Sequence, residues 1–189
     1  MSKAFTKESD GDDEEEDPRD DEPAEVARPK GTQHITLAGH RVLAAELARL
    51  WTVDRPHITE EVSVAAAQGD RSENAEYIYG KKKLREIDRR IRFLTKRLDV
   101  LKVVTPSPEQ LGKIYFGAWF TVQDEDGREM SYRIVGTDEI DLAARKISVA
   151  SPVAQALLGK AEGDSAVVQR PRGPAELTVV KVWYEDAEA

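Results

Sequence analysis

Apolar residues recur every three or four positions over one half of this chain and every second position over the other. Tyr77, Gly80, Leu84, Ile87, Ile91, Leu94, Leu98 and Leu101 follow alternating spacings of three and four without a slip. That pattern predicts a long helix carrying a coiled-coil seam. Upstream, "ITLAGHRVLAAELARLW" puts Leu43, Leu47 and Leu50 on one helical stripe. Pro56 interrupts it, predicting a kink or short break at Asp54 or Arg55, and the stripe resumes with Ile58, Val62, Ala65 and Gly69. The two arms are joined by the short "AQGDRSEN", which predicts an antiparallel hairpin because short connections reverse the chain direction. Each arm, about 30 residues, would extend roughly 45 Å. Gly80, near the turn, permits close approach of the helices. Two helices alone enclose little interior, so the hairpin needs an anchoring domain.

That domain follows the Pro-rich boundary "TPSPEQLG". "AWFTVQDEDGREMSYRIV" alternates on either side of an Asp-Gly turn and predicts a β-hairpin. "RKISVA" reads as a short strand. "SPVAQALLG" reads as a short helix with Ser151 as N-cap, Pro152 in the first helical position and Gly159 past the end. "SAVVQRPRGPAELTVVKVWY" predicts a second hairpin over a Pro/Gly turn. Trp119, Phe120, Tyr132, Ile134, Val167, Leu177, Val179 and Trp183 are the expected core. The fold class is therefore α+β: an N-terminal antiparallel coiled-coil hairpin followed by a compact β-rich domain with one short helix. The expected divisions are an acidic tail over 1–32, the hairpin over 33–104 with an acidic tip at 69–74, and the C-terminal domain over 105–189.

The net charge of −8 hides an uneven distribution. Residues 1–30 hold 12 acids against 5 bases, whereas the remainder is nearly neutral, with 24 acids and 23 bases. A tail so charged and so poor in apolar residues is expected to be disordered, either a solubilising extension or a nucleic-acid mimic. The chain has no cysteine, which excludes disulfides and thiolate metal sites. It shows neither a signal-peptide core nor an apolar run near the roughly 20 residues of a membrane span. The expectation is a soluble cytoplasmic protein.

"GDRSENAEY" carries the candidate chemistry. Asp70 and Glu73 have the spacing of a capping box, Asp70 as N-cap and Glu73 at N3, and both acids suit the positive end of a helix dipole. Their place at the tip of a hairpin suggests instead a delivered functional group. The second arm is basic: residues 70–102 carry 11 Lys/Arg and 6 Asp/Glu. With Tyr77 as heptad position a, Lys82–Lys83, Arg89–Arg90 and Lys96–Arg97 fall at successive f and g positions, and Arg85 and Arg92 at b. That stripe could track phosphates, or be a solvated face laced by Glu86–Arg90 and Asp88–Arg92 pairs. Two carboxylates make a poor magnesium site alone, because the ion takes six oxygens. They would work best completing a metal site in another protein.

The tip, followed by "KKKLREIDRRIRFLTKRL" and by "GKIYFGAW", "YRIVGTDEI" and "EGDSAVV", resembles the Gre transcript-cleavage factors of bacterial RNA polymerase, nearer their GreB than their GreA branch. The resemblance covers about residues 33–185. It implies an FKBP-like C-terminal domain docked on the rim of the polymerase secondary channel and a coiled coil entering that channel. It also implies a monomeric factor that is not an enzyme alone but stimulates the polymerase's own cleavage of backtracked RNA. Asp70 and Glu73 would help hold a second Mg2+ shared with the polymerase and not bound stably by the isolated protein. Ser72 and Asn74 would shape the tip. Lys82, Lys83, Arg85, Arg89, Arg90, Arg92, Lys96 and Arg97 would grip the extruded RNA 3′ end. Ser151 and Pro152 would belong to the polymerase-docking element, where the family's usual acid is replaced by Ala150.

Three other readings compete. A channel occupant that does not promote cleavage would have an altered tip, against the intact "GDRSEN". A prolyl isomerase is suggested only by fold, which does not carry activity. A purely structural coiled coil leaves the basic stripe unexplained. His34, His40 and His57 are spread along the first arm and form no metal-ligand cluster.

Overall fold

Thr36 begins the first helix, its hydroxyl oxygen accepting the Gly39 N–H at 3.1 Å. The computed structural model describes residues 33–68, 74–170 and 173–184. The acidic tail therefore lies outside the described residues. So do Asp70, Ser72 and Glu73. The first arm comprises α1 (Leu37–Arg49), a π-helical turn over Leu50–Asp54 and α2 (Arg55–Ala67). The second is α3 (Ala75–Val100), about 39 Å at 1.5 Å per residue.

Pro56 does not break the first arm. It occupies the first turn of α2, and the Arg55 N–H bonds the Leu50 carbonyl five residues back. The wider turn absorbs an extra residue. It explains why the stripe steps eight places from Leu50 to Ile58, where an unbroken alternation of threes and fours would step seven.

The two arms run antiparallel: Asn74 bonds Ala65, Gly80 packs on Val62, and Asp88 pairs with Arg55. Ile58, Ile87 and Ile91 are buried between them, flanked by Leu47, Leu50, Val62 and Leu84. Every seam position expected on α3 is buried or half-buried. A Cβ on Gly80 would lie 2.6 Å from Val62 Cγ2, so this crossing requires glycine.

Strands β1 (His34–Ile35) and β2 (Lys102–Val103) close the base of the hairpin as a parallel pair. The other sheet contains β3 (Trp119–Asp124), β4 (Glu129–Val135), β5 (Lys146–Ser148), β6 (Ser165–Arg170) and β7 (Gly173–Trp183), in the order β5-β4-β3-β7-β6. All neighbours are antiparallel except β4 and β5. The β3–β4 hairpin turns through Gly127, whose φ is 78°. Asp124 closes it by accepting the Asp126 and Arg128 N–H groups. Helix α4 (Pro152–Leu157) begins at the Ser151 cap, and Gly159 follows with φ 79°. It contributes Ala154 and Leu157 to a core with Phe120, Val122, Ile134, Val168, Leu177 and Val179.

Three expected core residues lie elsewhere. Val167 is exposed while its neighbour Val168 is buried, so β6 has the opposite phase. Trp119 and Trp183 stack on one another, ring centroids 5.9 Å apart, on the face opposite Phe120 and Val182. The cause for Trp183 is a β-bulge. Thr121 pairs with Lys181 but Val122 with Val179, leaving Val180 as the extra residue and reversing the alternation beyond it.

Hairpin and sheet are joined by the turn Thr137–Glu139. Glu139 accepts the Thr36 N–H at 2.9 Å and the Thr36 hydroxyl, and also the Gly136 N–H at 3.2 Å. Gly39 leaves the space Glu139 occupies, where a Cβ would collide with its carboxylate. Beside it Arg97 pairs with Asp138 at 2.7 Å.

Candidate functional site

The start of α3 is built by Asn74. Its Oδ1 accepts the N–H groups of Glu76 and Tyr77 at 3.0 and 3.1 Å. Its Nδ2 donates to the Ala65 carbonyl at 2.8 Å, in the last turn of α2. One amide therefore caps one helix and ties it to the other, using donor and acceptor together. This corrects the capping box expected from Asp70 and Glu73: α3 starts at Ala75, and its N-cap is Asn74.

Two members of the expected basic stripe, Arg97 and Arg90, are held by acids from other segments. Arg97 is only 7% exposed and turned inward to Asp138, so it belongs to the joint with the sheet domain. Arg90 is engaged by Glu46 through two hydrogen bonds of 2.7 and 2.9 Å. That bond, more than the charge, draws the Glu46 carboxyl below its usual range and raises the guanidinium of Arg90. The intrahelical pairs expected from Glu86–Arg90 and Asp88–Arg92 are replaced by pairs across the hairpin, Arg90 with Glu46 and Asp88 with Arg55 at 2.8 Å. Lys82, Lys83, Arg85, Arg89, Arg92 and Lys96 remain exposed along α3. They present a cationic surface without deep burial, suited to polyanion contact that salt would weaken.

A shallow groove runs between the arms near this end. His57, Glu60, Glu61 and Val64 line it from α2, and Glu76, Tyr79 and Gly80 from α3. Despite its acids, no group of three or more metal-ligating side chains converges among the described residues. In the sheet domain Ser151 accepts the Ala154 N–H at 3.2 Å, while Pro152 and Ala150 are exposed beside it. No helix among the described residues is long and apolar enough to cross a membrane.

Sequence reasoning missed Asn74 as the cap and the set Thr36, Arg97, Asp138 and Glu139 as the joint. Asn74 carried a usable signal, since Asn is among the preferred N-caps. The joint connects residues more than a hundred positions apart, which no local spacing encodes.

Comparison with known proteins gives consistent matches over both parts of the chain. The family model described as "Transcription elongation factor, N-terminal" matches residues 33–103. The one described as "Transcription elongation factor, GreA/GreB, C-term" matches residues 108–184. The chain is 54% identical over 154 residues to transcription elongation factor GreB of Pasteurella multocida, covering 82% of this chain and 98% of that one. It is 54% identical over 160 residues to GreB of Pseudomonas aeruginosa, covering 85% and 95%. Among solved structures, GreA factor homolog 1 (Gfh1) of Thermus thermophilus is 26% identical, covering 79% of this chain and 97% of that one with a TM-score of 0.36.

Proposed function

Because this chain belongs to the GreA/GreB family of transcription elongation factors, we propose that it binds bacterial RNA polymerase through the secondary channel and stimulates cleavage of backtracked RNA. The helical hairpin enters the channel, and the segment "GDRSEN" reaches the polymerase active centre. The observation that carries this reading is Asn74: it already caps α3 and ties it to α2, so the N-cap of this helix does not call for Asp70 or Glu73.

Carboxylates are the hard oxygen donors that Mg2+ takes, and two of them fill only part of a six-oxygen shell. The donor set therefore suits an ion shared with the polymerase and not a resident one. When bound, that ion would lower the pKa of a water and stabilise charge on the reacting phosphate. This chain's own part is to bring Asp70 and Glu73 to the site, with Ser72 and Asn74 shaping the segment that carries them. Lys82, Lys83, Arg85, Arg89, Arg92 and Lys96 hold the phosphates of the extruded 3′ end. The sheet domain docks on the rim near Ser151 and Pro152, where Ala150 removes one carboxylate from the contact. The factor works as a cytoplasmic monomer and lends groups to the polymerase without cleaving RNA alone.

Cleavage in halted complexes of the cognate polymerase tests this. Asp70→Asn and Glu73→Gln are expected to abolish stimulation while still competing with the wild-type protein for the channel. Variants that cleave at the wild-type rate would overturn the reading.

A further inference from the structure

Tyr79 is 68% exposed and Ile78 52% exposed, one to two turns into α3. Side chains this large and this exposed lie outside the seam, and packing among the described residues does not account for them. Tyr79 is about 7.5 Å along the axis from the Asn74 cap, at 1.5 Å per residue, and Asn74 follows Glu73 directly in the sequence. On the helix surface its neighbours three and four places on are Lys82 and Lys83, both exposed. Tyr79 also lines the groove between the arms, together with the acids Glu60, Glu61 and Glu76.

We infer that Tyr79 is a stacking platform for an unpaired base of the extruded RNA, and so a positioning residue for cleavage. The inference rests on the function proposed above. The chemistry matches a single strand on two counts. An exposed phenol ring offers a face on which any base can stack, and adjacent lysines neutralise the phosphates that accompany it. The acids of the groove that Tyr79 lines repel phosphate, so a strand stacked on the ring runs toward Lys82 and Lys83 and away from the groove. Stacking here would hold the nucleotide in place while the tip acids act on the phosphodiester, supplying orientation that the flexible lysines alone do not.

The test compares the wild-type protein, Tyr79→Ala and Tyr79→Phe on halted, backtracked complexes of the cognate polymerase. The extruded RNA carries either natural bases throughout or one abasic ribose, scanned through the extruded segment. On natural RNA, Tyr79→Ala is expected to slow cleavage by roughly five- to a hundred-fold, the range of base–aromatic stacking, while Tyr79→Phe keeps the wild-type rate. At one abasic position the wild-type rate should fall to that of Tyr79→Ala. A structural defect would not give that convergence, and unfolding curves that superimpose for the three proteins would exclude one directly. If the wild-type protein accelerates cleavage but Tyr79→Ala matches it, or stays equally deficient at every abasic position, the stacking role is overturned and the proposed function stands. If the wild-type protein does not accelerate cleavage, that function fails and the stacking role falls with it.

Discussion

Arg97 of α3 and Asp138 of the sheet domain form an ion pair of 2.7 Å with side-chain exposures of only 7% and 15%. The guanidinium reaches both carboxylate oxygens and lies 3.4 Å from the Thr137 hydroxyl. A pair so enclosed is a weak source of net stability, yet removing one partner strands the other charge. Asp138→Ala should therefore lower unfolding free energy by about 3 kcal/mol, read from urea curves. Arg97→Gln should behave similarly. Arg89→Gln, on the exposed face of the same helix, should stay within about 0.5 kcal/mol and instead weaken crosslinking to an extruded RNA end. Equal stability losses at positions 89 and 97 would contradict this division of the basic residues.

The cap predicts a second separation of roles. Asn74→Ala removes two N–H acceptors at the start of α3 and the donor to Ala65, and should cost about 1 to 2 kcal/mol. Asp70→Ala and Glu73→Ala, which remove any capping oxygen, should leave the melting temperature nearly unchanged. A loss on the Asp70 variant as large as on Asn74→Ala would return capping to the acid.

Much of this architecture was legible because burial imposes a period on side chains, 3.5 in the seam from Tyr77 to Leu101 and 2 in the strands. The hairpin and the strands could be read that way, while the Ser151 cap and the Asp-Gly turn were legible from residue type. Insertions of one residue could not. The π-turn after Leu50 and the bulge at Val180 each shift the pattern once, and the second carried Trp183 out of the expected core. Charge partners were also hidden: Arg90 and Arg97 look like the other bases of α3 in sequence, but their partners Glu46 and Asp138 come from distant segments. For the candidate site, residue types and spacing gave the acids and the basic face. Which residue caps α3 needed the geometry of Asn74.

The Glu46–Arg90 pair predicts a modest acid dependence. Its hydrogen bond lowers the folded-state pKa of Glu46 below the unfolded value of about 4.3. The contribution is thus present above that unfolded value and is lost as pH falls through the folded one. The side chains are 45% and 36% exposed, so solvent screening limits the pair to at most about 1 kcal/mol. Urea unfolding of wild type and Glu46→Gln should differ by that much at pH 7 and converge toward pH 3. A gap that widens on acidification would reverse the assigned sign.

Gly80 gives the sharpest test of the hairpin packing. Alanine in place of a helical glycine normally stabilises by about 1 kcal/mol. Here the added methyl would lie 2.6 Å from Val62 Cγ2, well inside van der Waals contact, and valine has little freedom to rotate away in a helix. The clash should prevail, and Gly80→Ala is expected to destabilise by roughly 1 to 2 kcal/mol. Adding Val62→Ala removes the obstructing methyls and should recover stability relative to Gly80→Ala alone. That gives a coupling energy in the double-mutant cycle of about 1 kcal/mol or more. Additive effects at the two positions would mean that the arms do not meet at this crossing.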